Sequence, residues 1–147
     1  MINIVNLFNY NNSLHYIWIL TNIGFNFLFG EDYYTQFSVG SNGLLTLGSV
    51  AAGTSTDGGK FSNSSYFPKI TGVGRDIGTC DNGYIKYKLV GTAPSRILVV
   101  EYKMGYVYDA SNADVKWQVQ LHEDSNKVVL VYGPTAPASN PSSYQSG

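Results

Sequence analysis

The side chains most able to do chemistry in this sequence are few and scattered. His15 and His122 are the two histidines. His122-Glu123-Asp124 has the look of a metal corner, but no second histidine lies at a ligand spacing from it, and the triplet reads as a solvated turn. Glu31-Asp32 sets two carboxylates side by side. Calcium there would need several more oxygen ligands, so the pair reads as a polar turn and the expectation is no metal and no cofactor. Thr71-Gly72-Val73-Gly74 contains a G-x-G, yet it lacks the third spaced glycine, the following helix and the lysine of a phosphate cradle. Arg75-Asp76 is an oppositely charged pair in an apolar stretch and reads as an ion pair or turn device. Cys80 is the one cysteine, which rules out an internal disulfide. Its neighbour Asp81 would raise the thiol pKa, so it reads as a packing residue and not a nucleophile. Catalysis needs a base, a nucleophile or paired carboxylates converging from different elements, and the sequence shows no such set, so no enzyme is expected. The residues best suited to touch a ligand are Tyr106, Tyr108 and Asp109. Tyrosines offer broad contact area at small entropic cost, and they stack on sugar rings or partner chains.

What would position those residues is a set of short strands. Gln36 to Gly48 carries the strongest local instruction: Phe37 and Val39 lead into Asn42-Gly43, Leu45 and Leu47 lead out, and Asn-Gly is the preferred pair of a type I′ hairpin turn. Upstream, Ile23 to Gly30 alternates so that Phe25, Phe27 and Phe29 share a face. Downstream, Ile85, Tyr87 and Leu89 alternate with Lys86 and Lys88, after a second turn signal at Asp81-Asn82-Gly83. Ile97 to Tyr102 is apolar until Glu101 and reads as a central strand covered on both faces. Met104 to Asn112 reads as an exposed, tyrosine-rich loop. Val115, Trp117, Val119 and Leu121 alternate with Lys116, Gln118, Gln120 and His122, and Val128 to Tyr132 returns beside them after a polar turn. Leu14 to Leu20 is too short to span a bilayer and reads as a buried strand, with His15 and Trp18 packed at the core.

No capped amphipathic helix is present. The pattern predicts an all-β fold without substantial helix: an antiparallel two-sheet sandwich of jelly-roll or Greek-key type. Residues 1–133 form one domain, of which 1–22 is an irregular N-terminal strand segment. Residues 49–65 form a long Gly/Ser/Thr-rich surface loop, and 134–147 form a Pro/Ser-rich edge segment or linker. Only 13% of the 147 residues are charged, and the net charge is -1. That argues against nucleic acid, whose binding rests on a basic field, and against acidic membranes. No leader and no transmembrane segment is visible, so the chain reads as intracellular, or as a mature or excised piece of an exported protein.

The order of segments carries a resemblance. Ile23-Gly24-Phe25-Asn26-Phe27, Tyr34 to Gly48, Gly83 to Lys103, Trp117 to Glu123 and Val131-Tyr132-Gly133 together resemble the nidogen-like extracellular domain. They are also similar to a related N-terminal module of large secreted, multidomain surface proteins of Bacteroidetes-type bacteria. Where that family has a Pro-Phe-Trp-x-Asp-like segment, this chain has Thr71 to Asp76. The resemblance implies an extracellular or cell-surface setting and a non-catalytic β-sandwich module in surface adhesion or assembly. Its partners would be a protein or glycan surface ligand. Two alternatives stand beside it: a carbohydrate-binding module acting through Tyr106, Tyr108 and Asp109, and a structural subunit of an extracellular filament or particle. The subunit would self-assemble by strand addition of the apolar segment Ile2 to Leu20.

Overall fold

The structure, a computed structural model, describes residues 5–8, 19–49, 68–73, 77–78, 83–106 and 115–134. His15, Trp18, Arg75, Asp76, Cys80, Tyr108, Asp109, nearly all of the expected 49–65 loop and the tail from residue 135 lie outside the described residues. Among the described residues ten strands follow one another: β1 Val5–Phe8, β2 Ile19–Phe29, β3 Asp32–Val39, β4 Leu44–Leu47, β5 Lys69–Thr71, β6 Ile77–Gly78, β7 Tyr84–Val90, β8 Ile97–Tyr106, β9 Val115–His122 and β10 Val128–Tyr132. No helix occurs among the described residues.

The strands form two antiparallel sheets. One runs β2-β3-β4-β5; the other runs β1-β7-β8-β9-β10, with β6 pairing the far end of β8. Each sheet is mainly a meander of sequence neighbours. The exception is β1, which lies beside β7 in the sheet opposite to β2. The period-2 alternation of β9 gives the expected result, with Val115, Trp117, Val119 and Leu121 buried and the residues between them partly exposed. Leu98, Val100, Tyr102 and Met104 of β8 and Ile85 of β7 join that inner face, and Ile23, Phe25, Phe27, Phe37, Val39, Leu45 and Leu47 oppose them. Phe25, Phe27 and Phe29 do line one face, the last partly buried. Between the sheets this is an interdigitated apolar layer, and its apolar area is the main stabilising term of the fold.

Four expectations change in detail. The β3–β4 connection is not a two-residue type I′ turn, because Gly43 has positive φ (78°) and Asn42 does not. Gly43 N donates to Gly40 O, and Gly40 N donates to Leu44 O. That is a type I turn followed by a left-handed glycine, the usual three-residue hairpin. Second, β8 continues through Tyr106, and Met104 is fully buried, so the segment expected to be a loop from residue 104 begins as strand. Third, β8 is central but is covered completely on one face only, since Ile97, Val99 and Glu101 keep partial exposure. Fourth, Leu20 is exposed, at the start of the long β2.

That strand carries the largest irregularity. Asn22 pairs with Gln36 and Phe27 with Tyr34, so β2 takes five steps where β3 takes two. Gly24 sits in the surplus with φ 98°, close enough to Leu89 that an added Cβ would lie 2.7 Å from Leu89 Cδ2. A glycine supplies both the left-handed backbone and the clearance.

Candidate functional site

The two ends of the sandwich differ in character. At one end lie the β3–β4 turn, the end of β5, β6, the end of β8 and the start of β9; the segment holding Tyr108 and Asp109 leaves from here. Its structural centre is Trp117. The Trp117 indole stacks on Tyr102, its cross-strand neighbour, with ring centroids 4.7 Å apart and planes 2° from parallel. Two glycines make room for it: a Cβ on Gly72 would stand 2.3 Å from Trp117 Cδ1, and one on Gly43 would stand 2.9 Å from Cζ2. The Tyr132 hydroxyl donates to the Gly72 carbonyl at 2.7 Å and ties β10 across to the strand end of β5.

Trp117 Nε1 and the Tyr102 hydroxyl are buried with no hydrogen-bond partner among the described residues. Burial pushes the Tyr102 phenol far above its ordinary pKa, so it stays protonated and supplies no base. The arrangement is therefore a packed anchor for the end of the sandwich. Of the three residues expected to touch a ligand, Tyr106 is placed on β8 with its backbone opposite Ile77, and not on a loop. Tyr108 and Asp109 lie outside the described residues, and so does the arrangement of the three side chains relative to one another.

The opposite end is held by charge. Arg96 donates through Nε and its backbone N to Glu123 Oε2, at 2.7 and 3.0 Å, and through Nη2 to Oε1. Its Nη1 donates to the Gly24 carbonyl at 2.7 Å, which joins the two sheets. The hydrogen bonds from Arg96 hold the Glu123 carboxyl below the usual range. The Glu123 carboxylate of the His122-Glu123-Asp124 triplet is thus committed to Arg96. Asn126, with φ 51°, accepts Leu28 N–H on its Oδ1 at 2.9 Å, a second tie between the sheets. Glu31 lies in the turn before β3 and Asp32 opens that strand.

A third polar arrangement, not anticipated as a unit, covers the outer face of the larger sheet. Glu101 on β8 accepts from the Tyr84 hydroxyl (2.6 Å) and from Gln118 Nε2 (2.8 Å), while Gln120 Nε2 donates to Gln118 Oε1 (2.9 Å). Lys116 Nζ lies 3.6 Å from Glu101 Oε1, and Lys86 Nζ lies 3.8 Å from the Tyr84 ring centre. Burial would raise the Glu101 pKa, but the hydrogen bonds from Tyr84 and Gln118 and the charge of Lys116 bring it below its ordinary value. Burial and the Glu101 carboxylate both raise Tyr84. The alternation of Lys86 with Lys88, and of Lys116 with Gln118 and Gln120, is visible in the sequence. The register that sets these strands side by side is not.

No group of three or more His, Cys, Asp or Glu side chains suited to a metal ion occurs among the described residues. No helix among them is long and apolar enough to cross a membrane. No curated protein and no solved structure shows a significant match to the chain. A family match does exist, and it covers every strand but β1, with the Trp117 anchor and the polar outer face: over residues 16–147 the chain fits the NIDO-related pattern, and it belongs to the NIDO-related (nidogen-related) family.

Proposed function

We propose that this chain is a non-catalytic β-sandwich module of an extracellular or cell-surface protein, acting in adhesion or surface assembly. Nidogen-related domains are generally extracellular. The observation that carries the reading is the side-chain-filled layer between the sheets among the described residues. The space between the sheets is filled by side chains from both, and the polar groups with accessible chemistry lie on the outer sheet face and at the two ends. Such a body offers surfaces rather than an enclosed reaction site.

Light scattering with negative-stain microscopy over a concentration range tests it. Ordered assemblies, or a monomer that captures a surface protein or glycan, support the reading. Turnover of a substrate refutes it. A second reading, glycan binding at Tyr106 with Tyr108 and Asp109, draws support from the anchored root of that segment, where Met104 and Val115 are register partners. Loss of glycan-array binding on Tyr106→Ala and Tyr108→Ala favours it; a silent array counts against it. The filament reading draws on β1, which already occupies a sheet edge beside β7. Removal of residues 2–20 should then abolish assembly while the remainder stays folded.

A further inference from the structure

The outer face of the larger sheet carries a charge distribution unlike that of the whole chain. Strand alternation places Lys86 and Lys88 of β7, Lys103 of β8 and Lys116 of β9 on the side opposite to the core residues Ile85, Tyr102 and Trp117. Among the described residues one carboxylate, Glu101, stands against these four lysines, a local surplus of three positive charges on a chain whose net charge is -1. Lys103 and Lys116 are direct register partners. Like charges opposite one another in a ladder destabilise it, so a sheet that retains such a pair has a use for the field it makes. Lys116 is partly compensated by Glu101, whereas Lys103 and Lys88 form no ion pair among the described residues.

We infer that this face binds a carboxylated polysaccharide, one that contains uronic acid units. Lysines two apart on one strand stand about 6.7 Å apart, and neighbouring strands about 4.8 Å, which gives a grid on the scale of successive sugar rings. The groups between the lysines suit sugar hydroxyls. Gln118 and Gln120 present amides held in line by their mutual hydrogen bond, and Glu101 offers a carboxylate acceptor fixed by Tyr84 and Gln118. A nucleic acid fits this surface less well. Among the described residues it offers no arginine fork for phosphate, and the Tyr84 ring is capped by Lys86. The inference rests on the recognition reading given above and names the partner's chemistry.

The test titrates the full chain with a polygalacturonate fragment at low and high salt, with dextran of matched length as the neutral comparison. Lys88→Glu/Lys103→Glu should weaken polygalacturonate binding roughly tenfold or more, and the parent's affinity should fall with added salt. Lys127→Glu, a charge change of the same sign in the β9–β10 turn, should leave binding unchanged. Circular dichroism and thermal melting confirm that each variant is folded, and Lys103→Glu alone, which turns the opposed lysines into an ion pair, should melt no lower than the parent. The inference is overturned if polygalacturonate does not bind, if the double variant binds as the parent does, or if dextran binds equally well. It is also overturned if single-stranded DNA binds as tightly and is lost in the same variant. Each of those results leaves the assembly and ligand-capture measurements of the broader reading standing.

Discussion

Gly72→Ala tests the packing of the Trp117 anchor with a single methyl group. The φ of Gly72 is not in the left-handed region, so the substitution adds bulk without backbone strain. The new Cβ would lie 2.3 Å from Trp117 Cδ1 and 2.6 Å from Nε1, well inside van der Waals contact. The indole has little room to retreat. Tyr102 is stacked on it at 4.7 Å, and on its far edge Gly43 is so close that a Cβ there would meet Cζ2 at 2.9 Å. Overpacking of this kind costs about 1–3 kcal/mol, and the hemmed indole places Gly72→Ala at the upper end, about 3 kcal/mol. Against a typical total of roughly 5–15 kcal/mol, that is a large fraction. Urea unfolding followed by circular dichroism reads it. Trp117→Phe alone forfeits no hydrogen bond to the described residues, where Nε1 has no partner, and costs about 1–2 kcal/mol as a cavity. In the Gly72→Ala background the smaller ring relieves the clash, so the double variant should be more stable than the sum of the two single losses by about 1 kcal/mol or more. Additivity within about 0.5 kcal/mol, or a Gly72→Ala variant as stable as the parent, would refute the reasoning.

Three further outcomes follow from the geometry. Asn126→Gly keeps the left-handed backbone and loses only the Leu28 hydrogen bond, about 1 kcal/mol, whereas Asn126→Ala loses both and should fall about 1 kcal/mol further in urea titration. Tyr132→Phe removes one exposed tie to Gly72 and should lower stability by about 0.5–1 kcal/mol, read as a small shift in urea midpoint. The Glu101 pKa is lowered on folding, so its contribution is fully present above the unfolded value of about 4.3 and is lost as pH falls through the lower folded value. Thermal melts across that acidic window should therefore show a shallower decline for Glu101→Gln than for the parent; equal slopes would show that the carboxylate is not linked to folding.

The strands that were legible are those with a local period-2 signal. Trp117-Val119-Leu121, Phe37-Val39 and Ile85-Tyr87 all face the core as their alternation implies. The limits of β8 were not legible, since Met104-Gly105-Tyr106 resembles loop sequence and its strand state depends on Ile77-Gly78 arriving from elsewhere in the chain. The turn at Gly40–Gly43 was located correctly but typed wrongly. Asn-Gly suits two hairpin geometries, and hydrogen bonds outside the dipeptide decide between them. The same limit governs the site. Lys86, Lys88, Lys116, Gln118 and Gln120 were readable as outward residues, but that Lys103 opposes Lys116 and that Glu101 meets Tyr84 and Gln118 are facts of register, which no single strand encodes. Likewise, nothing beside Gly72 or Gly43 in sequence announces that each makes room for the same indole.

The last rung of β10 sets a limit on what can join the protein by its edge. Leu130, Val131 and Tyr132 are exposed there, a sticky margin of the kind that recruits stray strands. Gly133 N donates to Lys116 O, and the next residue is Pro134, which has no N–H to offer. Among the described residues the exposed margin runs about five residues, roughly 17 Å of ladder, before the proline. A foreign strand docking there would gain a five-residue pairing, and Pro134 adds no rung to it.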